Sequence, residues 1–172
     1  MSQDAYNQIK GQALFLRGLA YYTLATYYQK VPLITDYASY SDLNSLYAPN
    51  VSQDEVFDQI EKDFREAMEI LPSRDKGGEW AKGRATSGAA AGYLSRALMF
   101  RHKYVEAYDI LKDIIAGKYG TYALTADYGD NFKESTENNI ESLFEVQFMN
   151  FGTGGTDEEW TPVNISRDAT QG

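Results

Sequence analysis

Toward its C-terminal end the chain reads NFGTGGTDEEWTPVN, which sets Asp157, Glu158 and Glu159 directly before Trp160, with Asn164 shortly after. Side chains of these types can hold a sugar. An indole offers a flat apolar face to the axial hydrogens of a sugar ring, while carboxylates and an amide hydrogen-bond to its hydroxyls. Glycines at 152, 154 and 155 make the stretch adaptable, and adaptable loops on a rigid scaffold are where binding residues concentrate. The candidate ligand-binding residues are therefore Trp160, Asp157, Glu158 and Asn164. Trp80, in the polar loop SRDKGGEWAKGR, joins them as a second aromatic in a setting where burial is not automatic. Glycoside hydrolysis would need two carboxyls facing each other across the sugar, roughly 5 to 9 Å apart. Consecutive acids in one loop define no such pair.

Other chemistries lack their residues. Without cysteine there is no thiolate nucleophile, no disulfide and no Cys-based zinc site, and His102 is the only histidine. The glycines of the C-terminal loop are not followed by Lys-Ser/Thr, so they form no phosphate loop. Asp127, Asp130 and Glu134 are calcium-type ligands without the central glycine and alternating oxygens of a calcium-binding loop, and they read as surface. No catalytic residue, metal or cofactor is expected. With 16 Lys+Arg against 25 Asp+Glu the formal net charge is −9, and no basic cluster offsets the repulsion that nucleic acid would meet.

The elements that must position these residues are helical. Ile9, Ala13, Leu16, Ala20, Leu24 and Tyr27 recur at three- and four-residue steps, which predicts one buried stripe on a helix from Asp4 to Tyr28, stopped at Val31-Pro32. A second helix begins at the capping pair Ser52 and Glu55 and carries Val56, Phe57, Ile60, Phe64, Ala67, Met68 and Leu71 up to Pro72. Thr86 caps a third, whose Gly88, Ala89, Ala90, Ala91, Gly92, Ser95 and Ala97 remove the side chains that would hold a neighbour away. A turn at His102-Lys103 leads to a fourth with Ala107, Tyr108, Leu111, Ile114 and Ile115, closed by Gly117. Ser95, Leu98, Tyr104, Ala107, Leu111 and Ile114 follow the small–large alternation of a tetratricopeptide hairpin. Arg17 and Arg84, beside helix interfaces, read as structural ties. Periodicity then fades, with one extended segment near 143–148. The expectation is an all-α chain of tetratricopeptide-like hairpins with long loops: a helical core over 1–149 and a loop-rich part over 150–172.

In that order the pieces resemble the SusD/RagB family of outer-membrane nutrient-binding lipoproteins. AlaLeuPheLeuArg at 13–17 running on to LysValProLeuIle at 30–34 is similar to the family's first helix and its proline stop. Val56 through Asp63, Ala67 and Leu71-Pro72 resembles its second motif, and Gly83-Arg84-Ala85-Thr86 with the alanine-rich helix its third. Lys103-Tyr104, Glu106-Ala107, Gly117-Lys118-Tyr119, Leu124 and Phe132 resemble the fourth, and Glu141 to Val146 the extended segment that follows. The resemblance implies a non-enzymatic glycan-binding protein at the bacterial outer membrane, with a SusC-type TonB-dependent transporter as partner. Family members are longer and begin with an export signal and a lipid-modified cysteine, so the chain reads as a fragment of such a lipoprotein. The competing expectation is an adaptor that holds peptides in its tetratricopeptide groove.

Overall fold

The computed structural model describes residues 1–36 and 47–147. Four helices carry the fold: α1 (Gln3–Tyr28), α2 (Gln53–Ile70), α3 (Ser87–Phe100) and α4 (Tyr104–Ile115). Each packs on the next in chain order, giving two helical hairpins stacked in the tetratricopeptide manner. Two extended pieces, β1 (Val31–Pro32) and β2 (Asn50–Val51), pair antiparallel with Val31 opposite Val51. They pinch the α1–α2 connection where sequence reading sees only loop. A ladder of two residues is too short to leave a period in the sequence.

The α2 stripe is buried as its spacing predicts, with Phe57, Ile60, Phe64 and Ala67 all but sealed from solvent. Its start is the expected capping box: Ser52 Oγ accepts from the Glu55 amide, and Glu55 Oε2 accepts from the Ser52 amide at 3.0 Å. The α1 stripe is a correction. Ile9 and Leu16 are 61% and 54% exposed, and Leu24 and Tyr27 also face outward. The buried face is Gly11, Leu14, Phe15, Gly18, Tyr21 and Ala25.

The reason lies on α2. A Cβ on Gly11 would come within 2.5 Å of Leu71 Cδ2, and one on Gly18 within 2.9 Å of the Phe64 ring. Large side chains of α2 therefore enter glycine notches in α1, and each seven-residue step along α1 meets a seven-residue step back along α2. Hydrophobic spacing follows the large residues, whereas the interface on α1 is made by the small ones.

One charged pair locks this seam. Asp63 is almost fully buried, and Arg17 grips it with both arms, Nε to Oδ2 at 2.7 Å and Nη2 to Oδ1 at 2.6 Å. Gln59 Nε2 adds a bond to Oδ1 at 2.7 Å, and Arg17 Nη1 also donates to the Thr35 carbonyl at 3.1 Å. A carboxylate taken from water needs this full set of donors. Farther along α2, Glu61 receives Arg101 Nη1 and Lys103 Nζ, each at 2.9 Å, which ties α2 to the turn between α3 and α4.

Thr86 caps α3, accepting from the Ala89 amide at 3.2 Å. The alanines at 89, 90, 91 and 97 are fully buried. Two glycines on that helix seat something other than a helix: Gly88 lies against Tyr122 and Gly92 against Leu143. On α4 the buried residues are Ala107, Ile110 and Ile114, while Tyr108 and Ile115, expected in the stripe, face solvent. Gly117, at φ +80°, ends the helix in the left-handed conformation. Beyond it the described chain is irregular, with 3₁₀ turns at Tyr128–Phe132 and Glu134–Thr136. Among the described residues no helix is long and apolar enough to cross a membrane.

Arg17→Ala should cost about 3–5 kcal/mol in chemical denaturation, because it leaves Asp63 buried without its cation. Adding Asp63→Leu should recover most of that loss; a double variant no better than the single would show that the pair is not the lock. At the other seam, Gly92→Leu has to displace Leu143 and should cost about 1–3 kcal/mol. A melting temperature that stayed level would mean Leu143 does not pack there.

Candidate functional site

Trp160, Asp157, Glu158 and Asn164 lie outside the described residues. What the structure provides is the place where the chain departs for them, a platform built on the α2–α3 connection.

Its first part is Trp80, in the 3₁₀ turn Gly78–Ala81. The indole is only 5% exposed. Lys76 Nζ stands 5.5 Å and Arg84 Cζ 5.4 Å from its ring centre, two cation–π contacts that cover what burial leaves open. Arg84 is in turn held by Glu79 at 2.9 Å. The ring of Trp80 thus packs the platform, and Arg84 is the structural tie that its sequence position suggested.

Arg74 is the second part, and sequence reasoning missed it. Its guanidinium donates to the carbonyls of Asn139 at 3.0 Å, Ser142 at 2.9 Å and Asn138 at 3.2 Å. Its Cζ also sits 5.2 Å from the Tyr122 ring. One planar fork therefore collects several carbonyls that a loop without regular structure would leave unpaired. Burial pushes the Tyr122 phenol above its ordinary value, so the ring stays neutral beside that cation. The only sequence signal was an arginine just after the helix-ending proline, which composition alone does not set apart from a surface charge.

Carboxylates hold the rest. Asp75 accepts from the Thr121 amide, with Oδ2 at 3.0 Å. Glu141 Oε2 accepts from Asn131 Nδ2, the Thr125 amide and Thr125 Oγ1, each at 3.1 Å. The bond from Asn131, then those from Thr125, hold this carboxyl below the usual range. Glu145 accepts from the Asn138 amide at 3.0 Å, and the amides of Asn138 and Gln147 pair at 3.0 and 3.2 Å. Gln147 also lies against Gly83, whose φ of +76° and close approach both suit a residue without a Cβ. The described chain therefore ends beside Gly83, next to the turn that carries Trp80.

Asp127 and Asp130, the calcium-type pair, share Lys133 at 3.4 and 2.6 Å. Among the described residues no group of three or more His, Cys, Asp or Glu is placed to hold a metal. His102 sits at φ +60° in the α3–α4 turn, with Nδ1 2.6 Å from the Tyr104 hydroxyl, a turn contact rather than a reactive centre.

With this geometry in hand, comparison with known proteins is specific. Residues 1–99 match the SusD-like family described as starch-binding and associating with the outer membrane. Among solved structures, a SusD superfamily protein of Bacteroides vulgatus is 29% identical with a TM-score of 0.72, over 86% of this chain and 30% of that one. A SusD-like carbohydrate-binding protein of Bacteroides fragilis is 25% identical at TM-score 0.78, over 87% of this chain and 28% of that one. A laminarin-binding SusD-like protein is also 25% identical, at TM-score 0.73, over 84% and 31% of the two chains. The chain thus spans about 30% of the length of these relatives. No curated protein sequence matches it significantly.

The Glu141 clamp carries a pH signature. Its folded pKa lies below the unfolded value, so its contribution is fully present above about pH 4.5 and is lost as pH falls through the depressed folded value. Glu141→Gln should reduce the fall in melting temperature on the acid side of about pH 4.5. An acid limb identical in the variant would place the sensitivity elsewhere.

Proposed function

The chain belongs to the SusD-like family, and from that premise we propose that it is the helical part of a non-enzymatic glycan-binding protein of the bacterial outer membrane. In this reading it delivers polysaccharide to a SusC-type TonB-dependent transporter. The observation that carries the proposal is the family match over residues 1–99. The likeness to carbohydrate-binding and laminarin-binding proteins of the same fold supports it.

Within this proposal the platform around Arg74, Trp80 and Glu141 is the rigid base, and the loop from Asn150 to Pro162 carries the contacts. Trp160 stacks on a sugar ring, and Asp157, Glu158 and Asn164 take its hydroxyls. Trp80 stiffens that base. Sugars are well hydrated, so one stacking contact contributes only about 1 kcal/mol, by analogy with aromatic pairs. Useful affinity then comes from a polymer that spans several contacts.

The peptide-adaptor reading fares worse on one observation. A tetratricopeptide groove would open between α1 and α3, and there Leu143 rests on Gly92 while the Phe144 ring centre lies 4.8 Å from that of Phe15. The chain's own extended segment occupies much of the space a bound peptide would need.

Affinity electrophoresis in gels cast with candidate polysaccharides tests the proposal. We expect retardation by a polymer, little competition from its monosaccharide, and loss of retardation on Trp160→Ala with the helical circular dichroism spectrum unchanged. Retardation that survives the substitution would remove Trp160 from the site.

A further inference from the structure

The described part of the segment on the face between α1 and α3 reaches Tyr93, whose ring centre is 6.4 Å from that of Phe144. Past Tyr93 the described residues leave a cleft of about 220 Å³, bounded by Tyr22, Thr23, Thr26 and Tyr27 of α1 and by Tyr93 and Arg96 of α3. It is small for a ligand pocket and of the order of one or two sugar rings. Among the described residues Arg96 is the one charged residue lining it.

That arginine is unlike the other described ones. Arg17, Arg65, Arg84 and Arg101 each hold a carboxylate, and Arg74 holds backbone carbonyls. Arg96 makes no hydrogen bond or ion pair among the described residues, in a chain where acids outnumber bases 25 to 16. Its one cation–π contact among the described residues is with the Tyr22 ring, 5.4 Å from the guanidinium carbon. Stacking of this kind orients the fork and leaves its N–H groups free for a planar acceptor. The Tyr22 and Tyr93 hydroxyls also have no hydrogen-bond partner among the described residues, and Tyr27 is 78% exposed. The Thr23 and Thr26 hydroxyls donate to the Leu19 and Tyr22 carbonyls at 3.1 and 2.7 Å, which leaves their oxygens as acceptors.

Resting on the glycan-binding reading above, we infer that this cleft is a subsite for a carboxylate-bearing sugar, a uronic acid carried on an otherwise neutral polysaccharide. The guanidinium fork takes the carboxylate, the tyrosine rings take the apolar face of the sugar, and the hydroxyls of the cleft take its hydroxyls. A polymer charged at every unit would be repelled by the net charge of −9 across the roughly 8 Å over which charges act at physiological salt. A sparse uronate avoids that repulsion. A peptide carboxylate would also satisfy Arg96, but the stretch of groove its backbone would follow is filled by Leu143 and Phe144.

Affinity electrophoresis of the whole chain in glucuronoxylan, in the same polymer after carboxyl reduction, and in laminarin tests the subsite. Native glucuronoxylan should retard the protein more than its reduced form. Arg96→Gln should abolish that difference, weakening binding to the native polymer about tenfold, and Arg96→Lys should restore only part of it. Because Arg96 is exposed, both variants should keep the wild-type melting temperature, and the reduced polymer supplies a control that needs no variant. Equal retardation by native and reduced polymer, or a difference that survives Arg96→Gln, would overturn the subsite. Retardation in laminarin without that difference would remove the subsite while leaving the general glycan reading in place. No retardation in any of the three would remove both. Stronger displacement by a peptide with a free C-terminal carboxylate than by glucuronic acid would assign the cleft to peptide and also overturn the inference.

Discussion

The buried carboxylate of Asp63 is the constraint on which the rest of the structure depends. Cut off from water, it needs a cation and a donor at each oxygen, and Arg17 with Gln59 supplies them. Arg17 can reach it only if α1 and α2 lie close together, and the notches at Gly11 and Gly18 permit that approach by admitting Leu71 and Phe64. The polar pair and the glycine seam thus demand the same register. The third arm of the guanidinium, bonded to the Thr35 carbonyl, carries the constraint into the chain just beyond β1. A bare apolar seam would bury as much surface while leaving sliding along the helix less strongly opposed. The charged pair penalises such slippage, because any shift strands Asp63.

A different physics holds the second half. From Gly117 to Gln147 the described chain has little regular structure, and its backbone groups find few ladder partners. Arg74 collects carbonyls, while Asp75, Glu141 and Glu145 collect amides. Cations serve acceptors and anions serve donors, so each clamp satisfies several groups from one side chain. Apolar anchorage is limited mainly to Tyr122, Leu143 and Phe144, which rest on the small-residue face of α3 and on the Phe15 and Tyr93 rings. The arrangement gives a rigid exit point beside Trp80 without requiring a further helix.

The two halves meet on the face between α1 and α3. Where the extended segment lies, the tetratricopeptide groove is filled by its own chain. Among the described residues it stays open beyond Tyr93 and carries an arginine with no acid beside it. A scaffold of stacked helix pairs can in this way present one closed and one open region along a single groove.

Much of this architecture was legible in the sequence, because local signals carry it. The capping box at Ser52 and Glu55, the α2 stripe, the Thr86 cap and the Gly117 stop each depend on residues within a turn or two of one another. The structural reading of Arg17 and Arg84 also followed from their places beside helix interfaces. Long-range choices were not legible. The buried face of α1 runs through Gly11, Gly18 and Ala25, which carry little hydrophobic signal, and only the side chains of α2 identify them as the interface. On α4, Tyr108 and Ile115 keep helical spacing yet face outward, since spacing gives a face but not which neighbour covers it. Arg74 and Arg96 look alike in the sequence. Only the tertiary structure surrounds one with carbonyls and leaves the other stacked on a tyrosine in an open cleft, because an arginine's role is set by the acceptors that folding brings within reach.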